Sequence, residues 1–440
     1  MSDLRITVLG TGYLGATHAA CMAELGFEVL GLDVDKAKID QLSEGRIPFF
    51  EPGLDELLAR HVASGRLRFT SSYEEAGRFG DVHFLCVGTP QKKGEFAADM
   101  KYVDAATNSL LPHLRPGALF VGKSTVPAGT ARRLEALILE SAPEGVEVAW
   151  NPEFLREGWA VQDTLSPDRL VIGTNAGGRG ESILREVYQP LLDAGVPMVV
   201  TDFATAELVK VAANAFLATK ISFINAMAEV CEATGADVKM LSQALSYDTR
   251  IGGRFLHAGL GFGGGCLPKD IRAFMARAGE LGVDQALSFL KEVDAINMRR
   301  RARMVDLARE LTGGSFAGGV RVGVLGAAFK PNSDDVRDSP ALDVSEAIRL
   351  QGAHVRVYDP QANENAARIH PELTYCDSAL EAVEGAHLVL HLTEWREFRD
   401  MSPHALEDAV ALKRIVDGRN ALDADAWRAA GWVYRALGRP

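Results

Sequence analysis

Short apolar segments alternate with helix-like segments through the first 200 residues of the chain. Apolar runs of strand length lie at 5–9, 27–32, 81–87, 118–122 and 146–150. Apolar strands separated by helices are typical of a parallel sheet whose two faces are both covered. The pattern therefore predicts an α/β fold. The loops at 88–90, 123–127 and 151–153 are expected at the carboxyl ends of the strands, where ligands of such sheets bind.

The first predicted strand runs into a glycine-rich turn of the form G-x-G-x-x-G. Gly10, Gly12 and Gly15 follow the strand and open a helical segment, and Asp33 lies at the end of the next strand. A strand, these glycines, a helix and an acidic residue about twenty positions on make up the dinucleotide-binding fingerprint. Asp33 would hold the adenosine ribose hydroxyls and repel a 2′-phosphate, so NAD is favoured over NADP. Asp35 is a second candidate for that role.

The pattern changes at Asp202, where apolar residues begin to recur at helical spacing. Asp202 is a suitable N-cap and Gly235 a stop signal, which predicts one long helix to about Ala233. Another long helix is predicted from Ser288 to about Leu311, followed by a glycine-rich linker at 313–319. Strand-like runs return at 320–326, 354–360, 388–392 and 414–417, without the full glycine fingerprint.

The expected fold is therefore α/β, with two Rossmann-like parallel-sheet domains joined by a long-helix central domain. The expected domains are an NAD-binding domain at 1–200, a helical domain at 201–312 and a second Rossmann-like domain at 313–440. Since the last domain lacks the fingerprint, we expect it to hold a nucleotide-like substrate and not a dinucleotide.

A single cysteine lies on the glycine-rich turn at 261–270. Cys266 follows three glycines and precedes Pro268, a residue type favoured in the first turn of a helix. The N-terminal end of a helix favours the thiolate, the nucleophilic form of cysteine, and Lys269 can add positive charge. Cys266 is thus a candidate nucleophile, and the alternative is a small buried cysteine beside a tight turn.

Composition narrows the class of protein. The chain has 440 residues, of which 47% are hydrophobic, and a formal net charge of −12, which argues against nucleic-acid binding. Its five cysteines have no C-x-x-C spacing, so they suggest a reducing compartment and neither a disulfide framework nor a zinc site. We see no signal peptide and no uncharged apolar run of about 18 residues, and we expect a cytoplasmic protein without a membrane span.

Two polar pairs stand at four-residue spacing in otherwise apolar surroundings. Glu153 and Glu157 lie in the segment 151–158, and Lys210 and Asn214 lie within the predicted long helix. Residues four apart on a helix share one face, so Lys210 and Asn214 can act at one site. Taken alone, each pair would more readily be interpreted as a solvated face or an ordinary ion pair than as part of a functional site.

Taken together, these segments resemble the UDP-glucose/GDP-mannose dehydrogenase family over nearly the whole chain. The matching motifs are G-x-G-Y-x-G at 10–15, V-G-T-P at 87–90, K-S-T-V-P at 123–127, N-P-E-F-L-R-E-G at 151–158, K-x-A-A-N-A-F at 210–216, G-F-G-G-x-C-x-x-K-D at 261–270, A-F-K-P at 328–331 and D-G-R at 417–419. The resemblance implies an oxidoreductase that uses two NAD to oxidise the C6 alcohol of a nucleotide sugar to a carboxylate. Cys266 would capture the aldehyde as a thiohemiacetal, whose oxidation gives a thioester.

The resemblance also implies roles for the polar residues. Lys210 and Asn214 would stabilise the oxyanions at C6. A water held by Thr125 and Asp270 would accept the alcohol proton, and Glu153 would activate water for thioester hydrolysis.

Binding residues follow from the same motif positions. Those implied for the cofactor are Gly10, Gly12, Tyr13, Leu14, Gly15, Asp33, Lys38, Val87, Gly88, Thr89, Pro90, Ser124, Thr125, Glu157, Lys269 and Arg337. Those implied for the substrate are Phe154, Leu155, Arg156, Glu157, Lys210, Asn214, Tyr247, Arg250, Phe255, Gly259, Phe262, Gly263, Phe329, Lys330 and Arg419. No metal ion is implied.

The segment 250–256 resembles the UDP-glucose branch of the family, which implies UDP-glucose as the substrate. The alternative is the same reaction on UDP-N-acetylmannosamine, UDP-N-acetylglucosamine or GDP-mannose. A hydroxyacid dehydrogenase that oxidises once would explain Lys210 and Asn214 but neither Cys266 nor the third domain, and a non-catalytic NAD-binding protein would need none of these side chains. The resemblance further implies a homodimer formed through the long helix, with Arg250 reaching the sugar bound to the neighbouring subunit.

Overall fold

The computed structural model describes residues 3–440 and divides the chain into two compact units. Unit 1 comprises the residues up to Ala213 together with Arg272–Leu281, and unit 2 comprises Asn214–Ile271 and Gly282–Pro440. The chain crosses between the units three times: inside the helix Phe203–Thr234, inside the helix Leu267–Glu280, and in the loop after Leu281. The three-domain division expected from the sequence stays a prediction.

Unit 1 is built on an eight-stranded sheet. Its strands are β1 (Arg5–Leu9), β2 (Glu28–Leu32), β3 (Leu67–Thr70), β4 (Val82–Leu85), β5 (Leu119–Gly122), β6 (Glu147–Trp150), β7 (Leu170–Gly173) and β8 (Met198–Thr201). Its helices are α1 (Tyr13–Glu24), α2 (Lys36–Ser43), α3 (Leu54–Ala63), α4 (Tyr73–Phe79), α5 (Lys101–Leu110), α6 (Thr130–Ser141), α7 (Ala160–Leu165), α8 (Gly180–Val187) and α9 (Gln189–Asp193), with a short 3-10 helix at Leu111–His113.

The order of strands in unit 1 is β3-β2-β1-β4-β5-β6-β7-β8. All neighbours are parallel except β6 and β7, which pair antiparallel between Trp150 and Gly173. The first six strands have the 3-2-1-4-5-6 order of dinucleotide-binding sheets. Apolar clusters cover both faces, with Ile6 and Val8 in one cluster and Leu9 in the other.

Two long helices follow. They are α10 (Phe203–Thr234), which begins in unit 1 and ends in unit 2, and α13 (Phe289–Leu311); between them lie α11 (Val238–Ser246), α12 (Leu267–Glu280) and a 3-10 helix at Asp284–Leu287. The predicted cap is present, because Asp202 accepts a hydrogen bond from the Thr205 amide at 2.9 Å, and α10 stops before Gly235. By length and composition α10 is apolar enough to cross a membrane, and 44% of its most apolar window is buried. Core helices of globular domains meet the same criterion.

Unit 2 contains a second, six-stranded sheet. Its strands are β9 (Arg321–Leu325), β10 (His354–Tyr358), β11 (Thr374–Tyr375), β12 (Leu388–His391), β13 (Arg414–Asp417) and β14 (Val433–Ala436), in the order β11-β10-β9-β12-β13-β14. The helices are α14 (Pro340–Leu350), α15 (Asn363–Ile369), α16 (Ala379–Val383), α17 (Arg396–Arg399) and α18 (Ala424–Ala429), with a 3-10 helix at Pro403–Ala405. Since this order is again 3-2-1-4-5-6 and every pairing is parallel, the second Rossmann-like fold is confirmed.

The predicted fold class is therefore confirmed, and the differences lie in individual strands. The hydrophobic pattern predicted β1, β2, β4, β5 and β6, each of which is largely buried. It did not predict β3 and β8, the two edge strands of the first sheet, whose side chains are partly exposed and give a weaker apolar signal. It also missed β7, although that strand is fully buried.

Candidate functional site

The loop after β1 has the geometry that a dinucleotide requires. A Cβ on Gly15 would collide with the carbonyl oxygen of Gly10, so only glycine allows α1 to pack this close to the strand end. A Cβ on Gly12 would meet no atom within 4 Å, and the backbone there faces open space at the N-terminus of α1. An open backbone at a helix N-terminus suits a pyrophosphate, so the loop fits NAD. Leu14 packs against the core of unit 1.

Asp33 lies directly after β2, as the fingerprint predicts. Its carboxylate accepts hydrogen bonds from the Thr11 amide at 2.9 Å and the Asp35 amide at 3.0 Å, and it pairs with Lys38 Nζ at 2.9 Å. Burial raises the pKa of Asp33, but these donors outweigh it and hold the pKa below its usual range. The side chain of Asp35 caps α2 by accepting from the Lys38 amide, which accounts for it without a cofactor.

Glu51 connects the cofactor loop to another strand-end loop, and sequence reasoning did not identify it. Its buried carboxylate accepts from the Tyr13 hydroxyl, from the Gly158 amide at 2.6 Å and from the Ala160 amide at 2.7 Å. Burial and the neighbouring Glu51 raise the pKa of Tyr13, which stays protonated and donates. The Tyr13 and Gly158 segments, far apart in sequence, are therefore fixed together in unit 1.

The loops after β4 and β5 are tied by hydroxyl groups. The Thr89 hydroxyl donates to the Thr125 carbonyl at 2.7 Å, and the Ser124 hydroxyl donates to the Val87 carbonyl at 2.7 Å. A Cβ on the neighbouring Gly88 would meet no atom within 4 Å, and Pro90 is exposed. These two predicted cofactor loops are thus neighbours at the carboxyl edge of the sheet.

One member of each predicted polar pair takes part in an ion pair within unit 1. Lys210, only 4% exposed, places its Nζ 2.8 Å from Glu153 Oε1. The other Glu153 oxygen accepts from the Leu155 amide at 2.5 Å. Sequence reasoning selected both charged residues but did not pair them. The pairing explains how a lysine on an apolar helix face is accommodated.

The remaining predicted residues of this segment have separate contacts. Phe154 stacks under the Arg169 guanidinium, at 3.9 Å from its ring centroid, and the Lys210 Nζ lies 5.7 Å from the same ring. The Arg156 guanidinium pairs with Asp163 at 2.5 Å. The charge of Glu157 contributes to the raised pKa of Tyr13, after burial and Glu51, and so acts at the cofactor loop.

In unit 2, Cys266 lies immediately before α12, where the sequence predicted a helix start. It is exposed, whereas Cys21, Cys86, Cys231 and Cys376 are buried. Burial raises the pKa of Cys21 and Cys86 to about 12, so these thiols stay protonated at neutral pH. Exposure and position make Cys266 the cysteine suited to nucleophilic chemistry.

Asp270 lies one helical turn after Cys266 and is buried among predicted residues. Its two oxygens contact Asn214 Nδ2 at 2.7 Å and Lys269 Nζ at 2.6 Å. Unit 2 thus brings two predicted side chains, Asn214 and Lys269, onto the carboxylate of a third, Asp270. Lys269 is consequently paired with Asp270, and its charge is not directed at Cys266 alone.

The glycine-rich loop before Cys266 is fixed from several sides within unit 2. Gly261 has a left-handed backbone (φ +93°), and a Cβ there would collide with the side chain of Asn297. Asn297 accepts from the Phe262 amide at 2.8 Å and donates to the Phe262 carbonyl at 2.9 Å. A Cβ on Gly263 would collide with the Asp338 carbonyl. The glycines therefore allow neighbouring backbone to approach, and the fully buried Asn297 holds the loop.

Predicted residues of the last third surround the same loop. The Arg419 guanidinium donates to the carbonyls of Gly261 at 3.0 Å, Phe329 at 3.0 Å and Leu392 at 2.6 Å. Arg337 packs against Gly265, the residue before the cysteine, and pairs with Asp335; Lys330 Nζ lies 5.4 Å from the Phe329 ring centroid. Arg419 therefore connects the predicted substrate loops to one another, and direct substrate contact stays a prediction.

Four other predicted substrate residues lie elsewhere in unit 2. Tyr247 and Arg250 are exposed, and Arg250 pairs with Asp248 at 2.7 Å. Phe255 has a left-handed backbone (φ +64°), unusual for an aromatic residue. Gly259 approaches the Gly418 carbonyl so closely that a Cβ would collide with it.

Comparisons with known proteins agree with this arrangement. Models of the UDP-glucose/GDP-mannose dehydrogenase family match the chain in three parts: the NAD binding domain at 4–192, the central domain at 204–299 and the UDP binding domain at 323–424. The chain is 42% identical over 439 residues to the UDP-glucose 6-dehydrogenase of Rhizobium meliloti, covering 99% of this chain and 100% of that protein.

Two solved structures extend the comparison. A UDP-glucose dehydrogenase from Pyrobaculum islandicum is 37% identical, with a TM-score of 0.91 and coverage of 100% of this chain and 98% of that one. A UDP-D-ManNAc dehydrogenase from Pyrococcus horikoshii is 27% identical, with a TM-score of 0.86 and 99% coverage of both chains.

Proposed function

Because this chain belongs to the UDP-glucose/GDP-mannose dehydrogenase family, we propose that it oxidises the C6 alcohol of UDP-glucose to the carboxylate, forming UDP-glucuronate with two NAD. The observation that carries the choice of sugar is the graded similarity. Identity is 42% and 37% to proteins named for UDP-glucose but 27% to one named for UDP-D-ManNAc, at nearly complete coverage in each case. The presence of Cys266, Lys210, Asn214, Asp270 and Glu153 at the motif positions supports a catalytic protein over a non-catalytic NAD-binding one.

The cofactor is held by the loops of unit 1. Gly12 and the N-terminus of α1 receive the pyrophosphate, Asp33 the adenosine ribose, and Thr89 and Thr125 the nicotinamide half. When bound, NAD accepts the hydride that leaves C6 in each of the two oxidations. Lys269 and Arg337, on unit 2, are assigned to the cofactor only by their motif positions.

The first oxidation requires a base for the alcohol proton. We assign this proton to a water that Asp270 holds with Thr125, and we assign Asn214 and Lys210 to the oxygen on C6 as its negative charge develops. The contact of Asn214 with Asp270 at 2.7 Å supports a shared task for these two side chains.

Cys266 retains the aldehyde covalently. Its thiolate attacks C6 and forms a C–S bond, and the resulting alkoxide takes up a proton to give a thiohemiacetal. Loss of that proton and of the C6 hydride gives a thioester. Addition of water and departure of the thiolate then yield the carboxylate and restore Cys266. Its exposure at the start of α12 supports this assignment.

Glu153 is assigned as the base that activates water for thioester hydrolysis. Lys210 Nζ and the Leu155 amide fix its two oxygens, which orients the carboxylate. General-base assistance of this kind contributes about 10²- to 10⁴-fold to a rate. The substrate is assigned to Phe154, Leu155, Arg156, Tyr247, Arg250, Phe255, Gly259, Phe262, Gly263, Phe329, Lys330 and Arg419.

The decisive experiment is the ratio of NADH formed to sugar consumed, measured separately with UDP-glucose, UDP-N-acetylhexosamines and GDP-mannose. A ratio near two with UDP-glucose alone is the expected result. A ratio near one would mean that the aldehyde leaves and that Cys266 has no covalent role. Turnover only with another nucleotide sugar would retain the mechanism and replace the substrate.

We also propose that the protein is a cytoplasmic homodimer formed through α10. Phe216, Phe223 and Val230 are exposed and recur every seven residues, so they form one apolar stripe along the helix; Phe216 is 67% exposed. A second copy of this helix is the proposed occupant. Sedimentation analysis should show a dimer for the native chain and a monomer for Phe223→Asp, and dimeric Phe223→Asp would refute this interface.

A further inference from the structure

Lys123 is a buried lysine in unit 1 to which the proposed mechanism gives no task. It follows β5, is 7% exposed and donates from Nζ to Asn151 Oδ1 at 2.9 Å. Among the residues that the structure describes, no carboxylate lies within 4.0 Å of this ammonium group. Its other neighbours are the rings of Phe84 and Tyr188, whose centroids lie 5.8 and 6.0 Å away. Burying a lysine without a carboxylate is costly, which indicates a function.

Asn151, the hydrogen-bond partner of Lys123, lies in the same segment as Glu153, the proposed base. Asn151 is the residue after β6 and lies two positions before Glu153. Its side-chain oxygen also accepts from the Tyr188 hydroxyl at 2.6 Å, and its nitrogen donates to the Val171 carbonyl at 2.9 Å. The start of the segment that carries Glu153 is therefore held by a buried network in which Lys123 supplies the charged donor.

Several titratable groups face Lys123 from the elements packed around it. They are Cys86 after β4, His18 on α1, Tyr188 at the end of α8, Glu153 after β6 and Lys210 on α10. Burial lowers the pKa of Lys123 to about 8; Cys86 and Glu153 act in the opposite direction, and Lys210 acts with burial. The group is thus charged in most molecules at neutral pH and loses its charge in the moderately alkaline range.

We propose that Lys123 is a positioning residue for Glu153: its ammonium group fixes Asn151, and hence the Asn151–Glu153 segment, and adds positive charge near the Glu153–Lys210 pair. The assignment of Glu153 as the hydrolytic base rests on the proposed function. The fixing of the segment by Lys123 rests on the contacts alone.

The first test compares Lys123→Met with the native chain and with Lys101→Met, an exposed lysine of the same unit. Hydrogen exchange measured by mass spectrometry should be at least tenfold faster in peptides covering 151–158 for Lys123→Met only. With UDP-glucose, its kcat should fall at least tenfold while both KM values change less than threefold. Acid-quenched protein should carry a sugar-nucleotide thioester on Cys266, because hydrolysis is the step that needs Glu153.

The possible results distinguish the proposed function from the positioning role of Lys123. If the native chain turns over no nucleotide sugar, the proposed function fails, and the exchange rates still decide the positioning role. If the native chain is active and Lys123→Met matches it in exchange and kcat, the positioning role is wrong and the function stands.

A second variant keeps the inference testable if Lys123→Met does not fold. Asn151→Asp retains an acceptor for Lys123 and adds a negative charge, which favours the ammonium form. Loss of the Lys123 charge should make the kcat of the native chain decline in the moderately alkaline range, and in Asn151→Asp this decline should move upward by at least half a pH unit. An unmoved decline in folded Asn151→Asp would overturn the charge contribution. Because aspartate still accepts from Lys123, the contact is retained, and unchanged hydrogen exchange at 151–158 is the expected result for this variant.

Discussion

The Asp417 carboxylate, at the end of β13, provides a quantitative test of how unit 2 holds the loop before Cys266. It is fully buried, and one oxygen contacts His391 Nδ1 at 2.8 Å and the Arg419 amide at 3.0 Å. The other accepts from the Leu422 amide at 2.8 Å and the Tyr434 hydroxyl at 2.9 Å. We expect Asp417→Asn to destabilise unit 2 strongly, since an amide cannot accept from all four donors.

The stabilisation that Asp417 provides can be calculated from the difference between its pKa in the folded protein and its ordinary pKa. Burial raises the pKa of Asp417, but the charge and hydrogen bond of His391, with the two amides, outweigh it and lower the pKa to about 2. Relative to the ordinary value of 3.8, this is worth about 2 kcal/mol at about 1.36 kcal/mol per pH unit. Because the folded value lies below the unfolded one, the stabilisation is complete above about pH 4. It is lost as the pH falls towards 2.

The amide variant should cost about 2–4 kcal/mol, because it removes the charge and turns an NH₂ group towards buried donors. Urea unfolding can be followed by tryptophan fluorescence, because three of the five tryptophans, Trp395, Trp427 and Trp432, lie in unit 2, where Trp427 and Trp432 pack together at 4.8 Å. Asp400→Asn is the matched control: its carboxylate is exposed and pairs with Arg396, so a change below about 1 kcal/mol is expected.

The pH dependence of stability distinguishes loss of the Asp417 carboxylate charge from poor packing of the amide that replaces it. The difference in free energy of unfolding between the native chain and Asp417→Asn should shrink as the pH falls below about 4, where the native carboxylate begins to be protonated. A difference of less than about 0.5 kcal/mol at pH 7 would refute the reasoning. So would a difference that grows as the pH falls below about 4.

The remaining predictions concern the chemistry and its loops. Cys266→Ser should release no net acid, with less than about 1% of native NADH formation, because serine is a poorer nucleophile and leaving group; native turnover would remove Cys266 from the mechanism. Glu153→Gln should lower kcat by about 10²- to 10⁴-fold and accumulate thioester, seen as added mass on quenched protein. Asn297→Ala should lose two hydrogen bonds to Phe262 and cost about 1–3 kcal/mol, measured by urea unfolding, with unchanged stability as the contrary result.

Much of the fold could be predicted because buried strands and amphipathic helices leave periodic signals. The five predicted strands of unit 1 and the two long helices appear close to their expected positions. Edge strands such as β3 and β8 bury only part of their side chains, so their periodicity is weak. The antiparallel contact of β6 with β7 depends on pairing between distant segments, about which local patterns carry no information.

Candidate reactive residues were accessible to sequence reasoning because their motifs combine unusual residue types at short spacing. The pairing of Lys210 with Glu153 was not, since it joins segments 57 positions apart. Glu51 and Asn297 were missed for the same reason: each acts on backbone amides of a distant loop, and an isolated Glu or Asn gives no sequence signal. A buried carboxylate or amide becomes visible as a positioning group only when its partners are known.

The two units share one way of holding reactive segments. In unit 1 a buried charge on Lys123 fixes the amide of Asn151 just before Glu153, and in unit 2 the buried charge of Asp417 fixes the Arg419 backbone. Arg419 in turn holds the Gly261 carbonyl. These charges affect stability in opposite directions, since burial disfavours the ammonium of Lys123, whereas the partners of Asp417 favour its carboxylate. Removing the first should therefore cost activity more than stability, and removing the second should cost both.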